Sequence, residues 1–159
     1  MKPSSIPLQL VGAGLIPSGS ANSIAAMQLD PVPPAPGLAR KFVASHLVSV
    51  PVAQREAALL LTSEIVTSAV LDSGTSLEIG VGRIGGSVLL AVADRDPDVD
   101  VDPSSIGRLR GRGKILVTAL ADDHGTLRSS RGSTVWIVLH EHGRASAAGA
   151  LDLEESRRA

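Results

Sequence analysis

The sequence predicts an α+β domain, with about three helices layered on one face of a mostly antiparallel, mixed sheet. Three observations predict this class: two successive helical patterns, a change to alternation of period two, and glycine turns that join the later strands into hairpins. The 159 residues are enough for one domain with a sizeable core. That core must be aliphatic, because Phe42 and Trp136 are the only Phe, Trp or Tyr residues.

The first half of the chain carries one short strand and two helices. Residues 1–22 are rich in Gly, Ser and Pro, which predicts a flexible extension whose residues 6–11 are able to add a strand. Residues 24–29 are predicted as a strand, and Pro36 lies near the start of a helix whose apolar residues recur at helical spacing. A second helix is predicted to open at Pro51 and to run through residues 55–71, and its unusually apolar character predicts a central position in the fold.

The second half of the chain is predicted as two hairpins separated by a loop and a helix. Residues 77–81 and 88–93 read as strands around a Gly-Gly turn. A long irregular stretch follows, and then a short helix over residues 115–120. Residues 125–130 and 133–139 form the closing hairpin. This order of elements favours helices packed on one side of the sheet.

Composition sets the domain boundaries and excludes several classes of function. The folded domain is predicted over residues 23–140, with residues 141–159 as a flexible tail. The absence of Cys excludes a disulfide scaffold, a Cys-ligated metal site and a thiol nucleophile. A net charge of −1 and so few aromatic residues argue against nucleic acid as a partner. No segment has the length of a membrane span or a signal peptide, so a cytoplasmic protein without a membrane partner is expected.

Two groups of polar residues interrupt the apolar pattern at places where chemistry is expected. Glu64 and Ser68 lie four residues apart on the central helix, and Asp72 continues the same line, so the three share one face. A solvent-facing edge of the helix would also explain this stripe. Asp94 ends an apolar strand at the start of the long loop, a position that a turn residue also occupies.

A third group combines glycines with arginines before the short helix. Gly111 and Gly113 precede it, and Arg108, Arg110 and Arg112 are interleaved with them. Free backbone N–H groups, the helix dipole and guanidinium groups together favour phosphate binding. The alternative for this segment is a flexible loop without a ligand.

In this order the three groups resemble the Bergerat-fold (GHKL, histidine kinase-like) ATP-binding domain shared by histidine kinases and type II topoisomerases. The chain is most similar to the small bacterial anti-sigma-factor serine kinases of the RsbW type. The resemblance runs over about residues 23–140 and is carried by five segments, residues 36–40, 61–70, 92–97, 111–117 and 132–136.

The resemblance implies a role for individual residues. Glu64 would be the catalytic carboxylate that activates a hydroxyl or water, and Asp94 would accept a hydrogen bond from the adenine amino group. Arg40 would lie on the surface that binds a sigma factor or a competing anti-anti-sigma factor of the STAS type. The remaining ATP- or ADP-binding positions implied are Ser68 (also as a weak Mg²⁺ ligand), Pro97, Gly111, Arg112, Gly113 and Thr134. Homodimerisation is implied as well.

Two departures from the family pattern weaken the expected magnesium site. Ser68 replaces the Asn whose amide oxygen helps to hold Mg²⁺ in the family, and a hydroxyl has a shorter reach. Asp72 replaces a basic residue or His and would repel phosphate.

Three hypotheses therefore stand. The first is a partner-switching anti-sigma factor that binds ATP and is capable of phosphorylating a Ser of its antagonist. The second is a nucleotide-independent binding module on the same fold, and the third is an unrelated α+β domain with coincidental motifs.

Overall fold

The computed structural model describes residue 4 and residues 6–72, 74–96, 109 and 111–141. The helices are α1 Ile6–Gly12, α2 Ala35–His46, α3 Val52–Asp72 and α4 Arg112–Leu120, with a short 3₁₀ helix at Ser18–Ser23. The strands are β1 Ile24–Leu29, β2 Leu77–Ile84, β3 Ser87–Ala93, β4 Asp123–Ser129 and β5 Gly132–Leu139. The predicted α+β class is confirmed. The predicted flexible tail at residues 141–159 lies, apart from Glu141, outside the described residues.

The five strands form one sheet in the order β1-β2-β3-β5-β4, and every neighbouring pair is antiparallel. The prediction of a mixed sheet is therefore wrong for the part of the chain that the structure describes. The reason lies in the connections. One connecting helix would bring the chain back to the end of the sheet where β1 begins, and β2 would then run parallel to β1. The two helices α2 and α3 return the chain to the end where β1 finishes, so β2 runs antiparallel to β1.

One face of the sheet carries α2, α3 and α4, as predicted. Their apolar residues meet the inward residues of the strands in a single aliphatic core. Fully buried members of this core include Val43, Leu61, Val66, Ile79 and Leu90. The long helix α3 lies centrally, because apolar side chains cover most of its circumference.

The opposite face of the sheet is covered by α1, which corrects the prediction for the N-terminal residues. Residues 6–11 form a helix and not a strand, and Ile6 and Leu10 are fully buried against the sheet. Gly80 of β2 permits this approach, because a Cβ on it would lie 3.0 Å from Ile6 Cγ2. The predicted two-layer sandwich therefore has a partial third layer, in which Ile6, Leu10 and Ile16 are buried.

Covering both faces changes the burial pattern of β2. Its sequence alternates, yet its first six residues are all buried. Glu78 points to the α1 side, where the Ser4 hydroxyl donates a hydrogen bond to it.

No helix within the described residues is long and apolar enough to span a membrane.

Candidate functional site

A cleft opens between α3 and the adjoining ends of β3 and β5, on the face that carries the three helices. Its interior cavity is small, about 20 Å³. Aliphatic side chains make up most of its walls, and three polar residues interrupt them. The lining residues are Ile65, Ser68, Ala69, Val92, Asp94, Leu109, Ser133 and Val135. An apolar cleft with a few convergent polar groups is the usual form of a small-molecule site.

Asp94 and Ser133 form the polar end of the cleft, at the adjoining ends of β3 and β5. The Ser133 hydroxyl donates to Asp94 Oδ2 at 3.0 Å, and the Ser133 backbone N–H donates to Asp94 Oδ1 at 3.3 Å. The Asp96 N–H also donates to Oδ1, at 3.1 Å. These three bonds fix the orientation of the half-buried Asp94 carboxylate. A carboxylate held in one orientation accepts a further hydrogen bond only from a donor that approaches in the matching direction.

Gly132 allows the two strands to meet at this point. The Asp94 N–H donates to the Ser133 carbonyl at 2.9 Å, which brings the Asp94 backbone over the start of β5. A Cβ on Gly132 would lie 2.1 Å from the Asp94 carbonyl oxygen. Its φ of 144° is also one that residues with a side chain rarely adopt. The Asp94–Ser133 pair therefore depends on a glycine at position 132.

Glu64 and Ser68 lie one turn apart on α3 and face the N-terminus of α4. A Cβ on Gly113 would lie 3.7 Å from Ser68 Oγ and 3.9 Å from Glu64 Cβ, so the two helices pass close together here. Gly111 precedes α4 with a φ of 56°. The structure thus brings these predicted site residues to one place, beside the cleft that Ser68 lines.

The charges at this end of the site are only partly buried. Arg112 Nε lies 3.7 Å from Glu64 Oε1, and the two side chains are 78% and 25% exposed. An ion pair with one partner in solvent is screened and stabilises a fold by less than about 1 kcal/mol. Arg112 is thus held weakly at the mouth of the site, where it is accessible to an anionic ligand.

Thr134, predicted to bind the nucleotide, does not line the cleft, whereas Ser133, which was not among the predicted site residues, does. Thr134 is buried on the opposite face of the sheet, where its hydroxyl donates to Gln9 Oε1 of α1 at 2.7 Å. Neighbouring residues of a strand point to opposite faces, so only one of the two can reach the cleft. The alternation along β5 indicates the direction of Ser133. Val135 and Ile137 belong to the helix-side core, and Ser133, which precedes them by two and four residues, points to the same face.

Two other predicted residues lie away from the cleft or outside the described residues. Arg40 is exposed on α2, and its Nη1 donates to Ser63 Oγ of α3 at 3.0 Å. It does not line the cleft. Pro97 lies outside the described residues.

The residues present fit the two ends of a magnesium–nucleotide unequally. The Asp94 end offers a fixed acceptor beside apolar walls, which suits an amino-substituted heterocycle. At the other end, Ser68 offers one hydroxyl and Glu64 faces Arg112. Among the described residues no cluster of three His, Cys, Asp or Glu side chains is placed to hold a metal ion. The polar groups of the cleft therefore match a base better than a metal ion.

No family model and no curated protein matches the chain. Among solved structures, the fold is similar to that of the blue-light activated histidine kinase EL346 of Erythrobacter litoralis, with a TM-score of 0.50 at 17% sequence identity. The similarity covers 89% of this chain and 47% of the kinase, so the chain spans about half of that protein's length. At this identity the likeness concerns the fold alone.

Proposed function

We propose that the chain is an anti-sigma factor of the partner-switching type, with a Bergerat-fold cleft that binds ATP or ADP. The observation that carries the nucleotide part is the Asp94–Ser133 pair at the end of an apolar cleft. The RsbW-type resemblance carries the partner part, together with cytoplasmic location, homodimerisation and the pair of partners, a sigma factor and its antagonist.

The cleft suits adenine better than guanine. Ile65, Val92 and Val135 provide flat apolar contact for a ring, in a chain that has no aromatic side chain among the cleft residues. A carboxylate fixed by N–H and O–H donors accepts a hydrogen bond from an exocyclic amine. The corresponding carbonyl oxygen of guanine would face the same carboxylate, and two acceptors repel each other. Asp94 therefore accounts for selection of an adenine base.

The phosphates would lie at the opposite end, against the N-terminus of α4. Backbone N–H groups at Gly111–Gly113 and the helix dipole favour an anion there, and Arg112 adds a positive charge. Bound Mg²⁺ would supply further charge neutralisation, with Ser68 as the available hydroxyl ligand. Glu64 lies within the same region, where the resemblance implies a carboxylate that activates an attacking hydroxyl.

The neighbour among solved structures supports the same proposal at the level of the fold. It is a histidine kinase, and histidine kinases are one of the groups that the sequence resembles. The three helices on one face of the sheet agree with the sandwich expected from that resemblance, whereas the sheet of the described residues is antiparallel throughout and not mixed. The hypothesis that the chain is of the RsbW type is more specific than this fold similarity, and it depends on the sequence motifs alone.

A second function is favoured by the phosphate end of the site. Ser68 stands where the family has a magnesium-binding Asn, and Asp72 adds a negative charge one turn further along α3. Both changes weaken binding of a magnesium–triphosphate. A binding module that uses the same surfaces without nucleotide would retain the fold and lose the chemistry.

Calorimetric titration with ATP and GTP, each with and without Mg²⁺, separates these two functions. We expect weak ATP binding that changes less than about threefold with Mg²⁺, and no measurable GTP binding, because the base end is intact and the metal end is not. Ser68→Asn should strengthen binding of Mg²⁺–ATP and leave metal-free ATP unchanged. Absence of ATP binding in both proteins would favour the nucleotide-independent module, whereas tight, strictly Mg²⁺-dependent binding by the wild type would contradict the weakened metal site.

The partner surface is tested separately with Arg40. Its guanidinium is exposed and hydrogen-bonded to Ser63 of α3, so it presents a positive charge held in place at the surface. We expect Arg40→Ala to weaken binding to the cognate sigma factor by about tenfold or more, measured against the purified sigma factors of the same genome. Lys41→Ala is the matched control, since Lys41 is the next residue on α2 and is also exposed. Equal losses in both variants would mean that charge alone, and not Arg40, accounts for binding.

A further inference from the structure

The interior of the cleft is narrow, and Leu109 forms part of its wall. The volume of its cavity is only about 20 Å³. That is room for about one water molecule. Leu109 is 6% exposed and belongs to the same core cluster as the apolar residues of α3.

The close approach of α4 positions Leu109. A Cβ on Gly113 would lie 3.1 Å from Leu109 Cδ2, so the leucine methyl group packs directly against the α4 backbone. The same leucine lines the cleft, and Ser68 Oγ lies near the same point of α4, 3.7 Å from a Cβ on Gly113. One aliphatic side chain therefore connects the N-terminus of α4 with the interior of the proposed base site.

We infer that Leu109 limits the affinity of the cleft for a nucleotide, because its side chain occupies space that the base requires. This inference rests on the proposed function, since it names what controls access to that same site. An apolar cleft without a ligand is stabilised when an aliphatic side chain fills it. Binding then requires that Leu109 moves out, and the apparent affinity falls by the fraction of molecules in which it has moved.

Truncation of Leu109 provides the direct test. Leu109→Ala should bind ATP about tenfold more tightly than the wild type in calorimetric titration, a gain of about 1.4 kcal/mol. Leu116→Ala is the matched control, because Leu116 is a partly buried leucine of α4 that does not line the cleft. Circular dichroism establishes that both variants are folded before they are titrated.

A thiol at position 109 gives a second measurement that does not depend on a truncated core. The chain has no Cys, so Leu109→Cys carries a single thiol. We expect its reaction with an aromatic disulfide reagent to be slow in the free protein and at least about fivefold faster with saturating ATP. Ile115→Cys, at a position that is 67% exposed, should react rapidly with and without ATP.

The outcomes separate this inference from the proposed function. Tighter ATP binding by Leu109→Ala, together with ATP-accelerated labelling of Leu109→Cys, supports both. If the wild type and Leu109→Ala bind ATP equally, or if ATP leaves the labelling rate unchanged, the role of Leu109 is wrong and the nucleotide site stands. If neither protein binds ATP, the proposed nucleotide site fails, and the inference fails with it.

Discussion

Replacement of Gly132 by Ala is expected to destabilise the protein by about 4 kcal/mol or more, near the upper end for single substitutions. The new Cβ would lie 2.1 Å from the Asp94 carbonyl oxygen and 2.9 Å from Arg95 Cα, and both of these are backbone atoms. Rotation of a side chain cannot relieve such an overlap. The hydrogen bond from Asp94 N to the Ser133 carbonyl holds the two segments together, so relief requires that β3 and β5 separate.

Gly85→Ala is the control that isolates the effect of backbone conformation. Gly85 lies in the β2–β3 turn with a φ of 62°, and a Cβ there would have no atom within 4 Å. Its replacement should cost about 1–2 kcal/mol, the penalty of a left-handed conformation alone. Urea unfolding followed by circular dichroism compares the free energies of unfolding of the two variants. A cost for Gly132→Ala no larger than that for Gly85→Ala would contradict the steric account of the β3–β5 junction.

Asp94→Asn is expected to weaken ATP binding by about 10- to 100-fold, the range for loss of a hydrogen bond to a charged group. The carboxylate accepts bonds from the Ser133 N–H, the Ser133 hydroxyl and the Asp96 N–H. An amide of the same shape would turn its NH₂ group toward one of these donors or toward the ligand amine. The same variant should also reduce the preference for ATP over GTP, because the repulsion between carboxylate and guanine carbonyl is removed. Calorimetric titration with both nucleotides measures the two effects.

Asp96→Asn serves as the matched control for Asp94. It makes the same change of acid to amide two residues further along, at a residue that is also half-buried. We expect ATP binding to change by less than about threefold in this variant, because the Asp96 backbone N–H that donates to Asp94 is retained. A loss equal to that of Asp94→Asn would show that general negative charge at this end of the cleft, and no specific contact, controls nucleotide affinity.

Patterns of short range predicted the secondary structure well. The strand prediction at residues 24–29 coincides with β1, and the helix prediction at 55–71 lies within α3. The turns agreed because glycines stand where the backbone adopts positive φ, as Gly85 does. Residues 6–11 were the exception: a short apolar segment is compatible with either a strand or a helix, and the surface on which it packs decides between them.

The candidate site was predicted in part. Glu64, Ser68 and Gly113 could be assigned to one region from helical spacing and family motifs, and the structure places them side by side. The choice between Ser133 and Thr134 could not be made from the motif, because adjacent strand residues differ only in the face to which they point. The small volume of the cleft also could not be predicted from the sequence, because it depends on where the Leu109 side chain packs.

The sequence by itself determined an aliphatic α+β domain and the order of its elements, because propensity, periodicity and turn glycines act over a few residues. Only the tertiary structure decided what covers each face of the sheet. Ile6 and Leu10 pack against strands more than sixty residues away in sequence, and no local pattern encodes that contact. The direction of each strand residue follows from the same packing, which is why Ser133 faces the cleft with Asp94 and Thr134 faces α1.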